Sequence, residues 1–281
     1  MKFFKIVFNF YINASIHVGL AVYAFVRITE QYFGLSYNDN LDYFIFFGTI
    51  TGYNFVKYAG VAKLHHRSLT NNLKIIQVFS LFCFLAMCYY GCQTPITTLF
   101  FTVPFILLTF LYAVPFLSGF DKNLRQISYL KIIVVAFVWA GYTVIIPLVD
   151  AGKEISLTVI ALMLQRFLIV VVLVLPFDIR DVKYDAISLQ TIPMKIGIEK
   201  TKKLGLMLLV FSLVLEYLFS SSAMLKTPFM IFFFLLIIFL MRAKKEQSKY
   251  YSSFWVELLP IVWWLLLLGF HNFQEFKVFF L

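Results

Sequence analysis

Apolar runs about as long as a bilayer is thick recur along the whole sequence, and that repetition limits the folds open to it more than any other feature. A helix needs about 20 mostly apolar residues to cross the hydrocarbon core. Lipid offers no partner to backbone polar groups, so only helices and closed barrels cross it. The runs here are too long and too uniformly apolar for the alternating strands of a barrel. They predict an all-α polytopic membrane protein, with helices over roughly 6–28, 41–62, 73–91, 95–117, 128–149, 155–177, 203–220, 223–241 and 254–272. No polar linker separates these nine runs, so residues 1–281 read as a single transmembrane domain.

Charge supports the count independently. Charged residues make up 14% of the chain, against about 25% in soluble domains, which argues against a soluble enzyme. The net charge of +10 does not point to nucleic acid, because the basic residues sit in short segments between apolar runs, with no basic-aromatic groove pattern. Once the N-terminus is placed in the cytoplasm, only Lys153, Lys226 and Lys277 fall in outside segments, and Arg27 and Arg166 fall within spans. Every other Lys and Arg lies inside. A missed span would swap the side of every later loop, so this asymmetry supports both number and orientation. The expected location is a bacterial plasma (inner) membrane with the basic loops cytoplasmic. Lys2 and Lys5 precede a long apolar stretch with no clean small-x-small cleavage pattern, so a retained first helix is expected rather than a signal peptide. Cys83, Cys88 and Cys92 lack His or Cys partners at metal spacing and read as packing residues.

One loop departs from this pattern. After the sixth run, Asp178, Asp181 and Asp185 stand at i, i+3 and i+7, which on a helix places all three carboxylates on one face. Hard oxygen ligands so crowded suit Mg²⁺, which takes one or two carboxylates and keeps room for phosphate oxygens. A solvated acidic helix end neutralised by Arg180 and Lys183 is the competing reading.

The stretch from Asp178 to Asp185, followed by Gln190-Thr191-Ile192-Pro193-Met194-Lys195-Ile196-Gly197, resembles the second aspartate-rich motif of the UbiA superfamily of intramembrane prenyltransferases. That motif is a D-x-x-D-x-x-x-D run with a T-[LI]-P-x-x-x-G tail. Tyr112-Ala113-Val114-Pro115 ahead of Lys122 and Arg125 resembles the family's Tyr-to-Lys segment after the fourth helix. The resemblance implies a UbiA-like bundle around a central cavity. It implies an Mg²⁺-dependent transfer of an isoprenoid chain from a prenyl diphosphate to an aromatic or other lipophilic acceptor. Asp178, Asp181 and Asp185 would be the catalytic and metal-binding residues, with Lys57, Lys122, Arg125 and Lys131 on the diphosphate. Asn54 and Tyr112 would contact substrate. The leaving diphosphate must be neutralised by metal and cations, and the allyl cation needs a dry aromatic pocket.

The family's first motif, N-D-x-x-D-x-x-x-D, is degenerate here. Asn54 matches, but Phe55, Tyr58 and Ala62 stand where aspartates are expected. Either nearby Lys57, Lys63, His65, His66 and Arg67 take over charge neutralisation, or the chain keeps a lipid-binding cavity without chemistry. The adjacent His65 and His66 point about 100° apart on a helix and are a weak metal signal. A transporter would show internal repeats, and none is evident.

Two charges lie deep within spans. Arg166 and Glu216 match in depth on consecutive helices and predict an ion pair or a shared cavity. Glu257, near the inner end of the last span, is expected to snorkel or to meet Lys and Arg. Trp139 and Tyr142 are candidate pocket residues, whereas Trp255, Trp263 and Trp264 suit an interface belt or packing. Oligomeric state, prenyl length and acceptor are left open by the sequence.

Overall fold

The computed structural model describes the backbone of residues 2–64, 71–114, 130–183, 191–220 and 222–280, and side chains within these from 3–58, 73–114, 130–183, 191–220 and 222–272. Among the described residues the chain is helical and contains no strand. The first run is broken into α1 (Lys2–Asn13) and α2 (Ile16–Phe33), which meet at an angle of 55°. The elbow sits at Ser15, whose φ of 61° makes it the one non-glycine residue in the left-handed region among the described residues. At its far end α2 stops at Gly34 (φ 58°), where the amides of Gly34 and Leu35 return to Gln31 and Glu30.

The chain continues through α3 (Asp39–Leu64), α4 (Asn71–Gly91) and α5 (Ile96–Ala113). The next span is a composite of α6 (Leu130–Ala140), a π-helical turn over Gly141–Ile145 and α7 (Ile146–Asp150). Two residues account for the wide turn. Pro147 has no N–H to return to the carbonyl of Thr143, and Gly141 lets the ring of Phe105 on α5 press against its backbone. The long α8 (Leu157–Asp181) starts on Ser156, whose hydroxyl accepts from the Val159 amide. The short α9 (Ile192–Ile196) ends at Gly197 (φ 83°), from which α10 (Ile198–Phe219) departs. Then follow α11 (Ala223–Arg242), a π-helical turn over Tyr251–Val256 and α12 (Leu259–Phe280).

The helix α8 is central. It packs on α6, α10 and α11, while α2 packs between α3 and α12. Arg166, Phe25, Trp263, Phe229 and Phe232 fill the middle of the bundle and are fully buried, so the bundle is closed at that depth. Trp263 stacks on Phe232 at 4.6 Å, which assigns it to packing rather than to an interface belt. The outward faces of α4 and α5 expose Leu81, Phe82, Phe100 and Ile106, as lipid-facing surfaces do.

Six helices are long and apolar enough to cross a membrane, and the bent α1–α2 pair raises the number to seven among the described residues. The chain is therefore an integral membrane protein. The two other long helices, α3 and α10, overlap the expected spans at 41–62 and 203–220 but are less apolar and fall short of that measure. Nine crossings are thus an expectation that helix length and apolarity alone do not reach.

Candidate functional site

The C-terminal end of α8 gathers the polar residues that the sequence singled out. Asp178 is 1% exposed, and its Oδ1 accepts from Lys131 Nζ on α6 at 2.9 Å. One turn on, Arg180 grips Asp181 with a fork, Nε to Oδ1 at 2.7 Å and Nη2 to Oδ2 at 3.1 Å. Pro176 lies inside the helix, and its carbonyl accepts from Gln247 Nε2, which also donates to Ser252 Oγ. The segment after α11 is thereby tied across the end of α8. From the last helical segment, the Glu257 carboxylate lies within electrostatic reach of Lys57 on α3 and Arg180 on α8. That agrees with the expectation that Glu257 meets cations. Tyr53 accepts from the indole Nε1 of Trp139 at 2.8 Å and lies within reach of both Glu257 and Tyr112. Tyr112 itself is buried at the end of α5.

The polar side chains at the first-motif positions are engaged at the α1–α2 elbow, with Lys57 also within electrostatic reach of Glu257. Asn54 Nδ2 donates to the Ala14 carbonyl and to Ser80 Oγ, while its Oδ1 accepts from Ser15 Oγ. Lys57 Nζ donates to the same Ser15 hydroxyl at 2.8 Å, and Tyr58 Oη donates to the Asn13 carbonyl at 3.0 Å. Three side chains of α3 therefore hold the α1–α2 elbow, and Phe55 is an exposed apolar residue between them. Lys122, Arg125 and Asp185 lie outside the described residues.

This geometry bears on the metal. Among the described residues no three His, Cys, Asp or Glu side chains converge as a metal site. Asp178 and Asp181 sit one turn apart, each balanced by a cation. Mg²⁺ usually takes one or two carboxylates from a protein, and Asp178 and Asp181 are two such donors in number and chemistry, each now turned to a cation. Asn54, Phe55 and Tyr58 offer no carboxylate for a second ion.

The deep charges do not form the expected ion pair. Arg166 Nη1 donates to the Phe25 carbonyl at 2.9 Å, Nη2 reaches Thr29 Oγ1 at 3.5 Å, and the guanidinium lies 4.2 Å from the Phe25 ring centre. Glu216 instead accepts from Tyr32 Oη at 2.9 Å and Gln165 Nε2 at 2.8 Å. The two remain within electrostatic reach of each other, but each hydrogen-bonds to groups of α2 instead. Ser15, Gln247 and Tyr53 carried no motif signal, since each acts through contacts distant in sequence. Only the acidic run's own Arg180 could have been anticipated, as a neutraliser of its neighbours.

No protein-family model matches the sequence, and neither does any curated protein. Solved structures do match in fold. A UbiA homolog from Archaeoglobus fulgidus bound to GPP and Mg²⁺ superposes with a TM-score of 0.58 at 12% identity, covering 93% of this chain and 99% of that one. The same homolog bound to DMAPP and Mg²⁺ gives 0.57 at 12%, covering 92% and 96%. A digeranylgeranylglyceryl phosphate synthase gives 0.55 at 16%, covering 95% and 97%. The chain has the UbiA fold over nearly its entire length.

Proposed function

We propose that the chain is an intramembrane prenyltransferase of the UbiA superfamily, which moves an isoprenoid from a prenyl diphosphate to a lipophilic acceptor. The observation that carries this reading is the pair of ion pairs at the end of α8, Lys131–Asp178 and Arg180–Asp181, with Lys57 and Glu257 nearby. Asp178 and Asp181 would hold Mg²⁺, with Asp185 as a third ligand. Bound there, the ion supplies neutralisation of the leaving diphosphate's charge. Lys131 would exchange its carboxylate partner for a phosphate oxygen, and Lys57, Lys122 and Arg125 would add cationic donors. Tyr53, Trp139 and Tyr112 supply aromatic surface next to these charges, where an allyl cation is stabilised and water excluded. The site would open on the cytoplasmic side of a bacterial inner membrane, in a single domain spanning the chain.

A second reading has its own support. The first-motif side chains are engaged at the α1–α2 elbow, as in a relative that binds an isoprenoid lipid without chemistry. Purified protein given geranylgeranyl diphosphate, Mg²⁺ and a membrane lipid extract separates the two. A transferase releases diphosphate and loses that release in Asp178→Ala combined with Asp181→Ala. Binding without release favours the second reading. Release that survives the double substitution overturns the assigned site.

A further inference from the structure

The bundle holds another polar site on the far side of Arg166. A small cleft is lined by Tyr32, Gln165, Glu216 and Ser220, with Phe33 and Phe219 beside them. Gln165 and Asp178 share α8 but lie about 20 Å apart along it, at about 1.5 Å per residue. The cleft is therefore separate from the cluster at the end of α8.

Its hydrogen bonding is incomplete in one direction only. Glu216 is 2% exposed and accepts one bond on each oxygen, although a carboxylate has about four lone-pair sites. No ion pair involves it among the described residues. Arg166 donates to Phe25 and Lys226 lies over the Tyr217 ring at 5.1 Å, so both act on Glu216 only electrostatically and without contact. Gln165 Nε2 donates both to Glu216 and to the Ser212 carbonyl, which fixes the amide orientation and leaves Oε1 buried without a partner. Ser220 Oγ is buried within reach of the same carboxylate, and a hydroxyl that donates to it still has lone pairs to accept. A carboxylate, an amide oxygen and a hydroxyl thus present acceptors to one small space, with aromatic faces around them.

A primary ammonium has three N–H donors and no acceptor, and aromatic faces favour a cation. Complementarity of number, sign and surroundings thus coincide. We propose that this cleft binds the primary ammonium head of an amphiphile, whose tail leaves past the apolar lining residues Phe33, Leu215 and Phe219. A free long-chain amine and an aminophospholipid share this chemistry.

The test uses the full chain in phosphatidylcholine nanodiscs, titrated with decylamine and followed by intrinsic fluorescence and melting temperature. Trp263 meets the Tyr32 ring edge-on at 6.1 Å and would report occupancy. Saturable binding is expected, at least tenfold tighter than for decanol, which has the same tail. Glu216→Gln should remove that preference, and Leu162→Trp, at the cleft wall, should block binding while leaving the polar floor intact. Adding phosphatidylethanolamine weakens decylamine binding if an aminophospholipid is the occupant, and leaves it unchanged if a free amine is. Equal binding of decanol and decylamine by the native protein overturns the proposal. So does amine affinity that survives either a folded Glu216→Gln or Leu162→Trp.

Discussion

Ser15, at the break between α1 and α2, and Asn54 on α3 are joined by a 2.7 Å hydrogen bond that pins the elbow of the first helical pair. Ser15 also accepts from Lys57, so one hydroxyl couples backbone strain to a charged side chain. Opposing effects act on substitution. Glycine at 15 relieves the left-handed backbone, a gain of about 1–2 kcal/mol. Against it stand about 0.4–1 kcal/mol of extra chain entropy in the unfolded state and a lost hydrogen bond of about 1 kcal/mol. Alanine loses the bond and keeps the strain. Ser15→Gly should therefore melt near the native temperature and Ser15→Ala several degrees lower. Equal melting of the two would show that φ at 15 is not under strain.

Asn54 makes three bonds to groups shielded from water. Asn54→Leu should destabilise the protein by about 1–3 kcal/mol, because hydrogen-bonding groups near the elbow lose their partner. The measurement is the melting temperature in detergent, alongside prenyl diphosphate binding at a temperature where both proteins are folded. A purely elbow-holding role lowers the melting temperature and leaves affinity within about threefold, a change of about 0.6 kcal/mol.

Lys131 and Asp178 present a different balance. The carboxylate is buried and the ammonium partly exposed. Lys131→Met should cost about 2–3 kcal/mol through the uncompensated charge. The double variant Lys131→Met with Asp178→Asn should recover most of that stability. It should not recover affinity for geranyl diphosphate, expected to fall at least tenfold in both proteins, as read by equilibrium binding. Recovery of affinity together with stability would remove Lys131 from the diphosphate site.

The spans and the acidic run were legible because each is a local pattern. Apolar length marks a helix wherever it occurs, and the spacing of Asp178 and Asp181 already sets them one turn apart at the end of α8. The elbow was not legible. Nothing about Ala14-Ser15 in sequence breaks a helix, and the break is supported by Asn54, Lys57 and Tyr58 from α3. The fate of the degenerate motif was hidden for the same reason: losing carboxylates is visible in the sequence, while binding the elbow is a tertiary fact. Depth placed Arg166 and Glu216 at one level, but helix rotation and the backbone of α2 decided their partners.

Those separate partners make a quantitative expectation. Arg166→Met removes a buried hydrogen bond and a cation–ring contact, and should cost about 3 kcal/mol or more. Glu216→Gln keeps the shape of its side chain and should cost less. Contacting ion pairs give coupling energies up to about 3 kcal/mol in double-mutant cycles. With no direct contact between them, the coupling between Arg166→Met and Glu216→Gln should stay below about 1 kcal/mol. A larger value would mean that the two charges meet.

The close approach at Gly141 gives the sharpest packing test. A Cβ there would collide with the ring of Phe105, which is itself wedged between Phe137 and Tyr142. The ring cannot swing freely, so Gly141→Ala should destabilise by about 1–3 kcal/mol through overpacking. Phe105→Ala alone should cost about 3–5 kcal/mol by leaving a cavity. Combining them places the new methyl in the space that the ring vacates. The double variant should therefore be less destabilised than the sum of the two single effects, and could even exceed Phe105→Ala in stability. Strict additivity in melting experiments would show that the wide turn arises from Pro147 alone and not from the contact between α5 and Gly141.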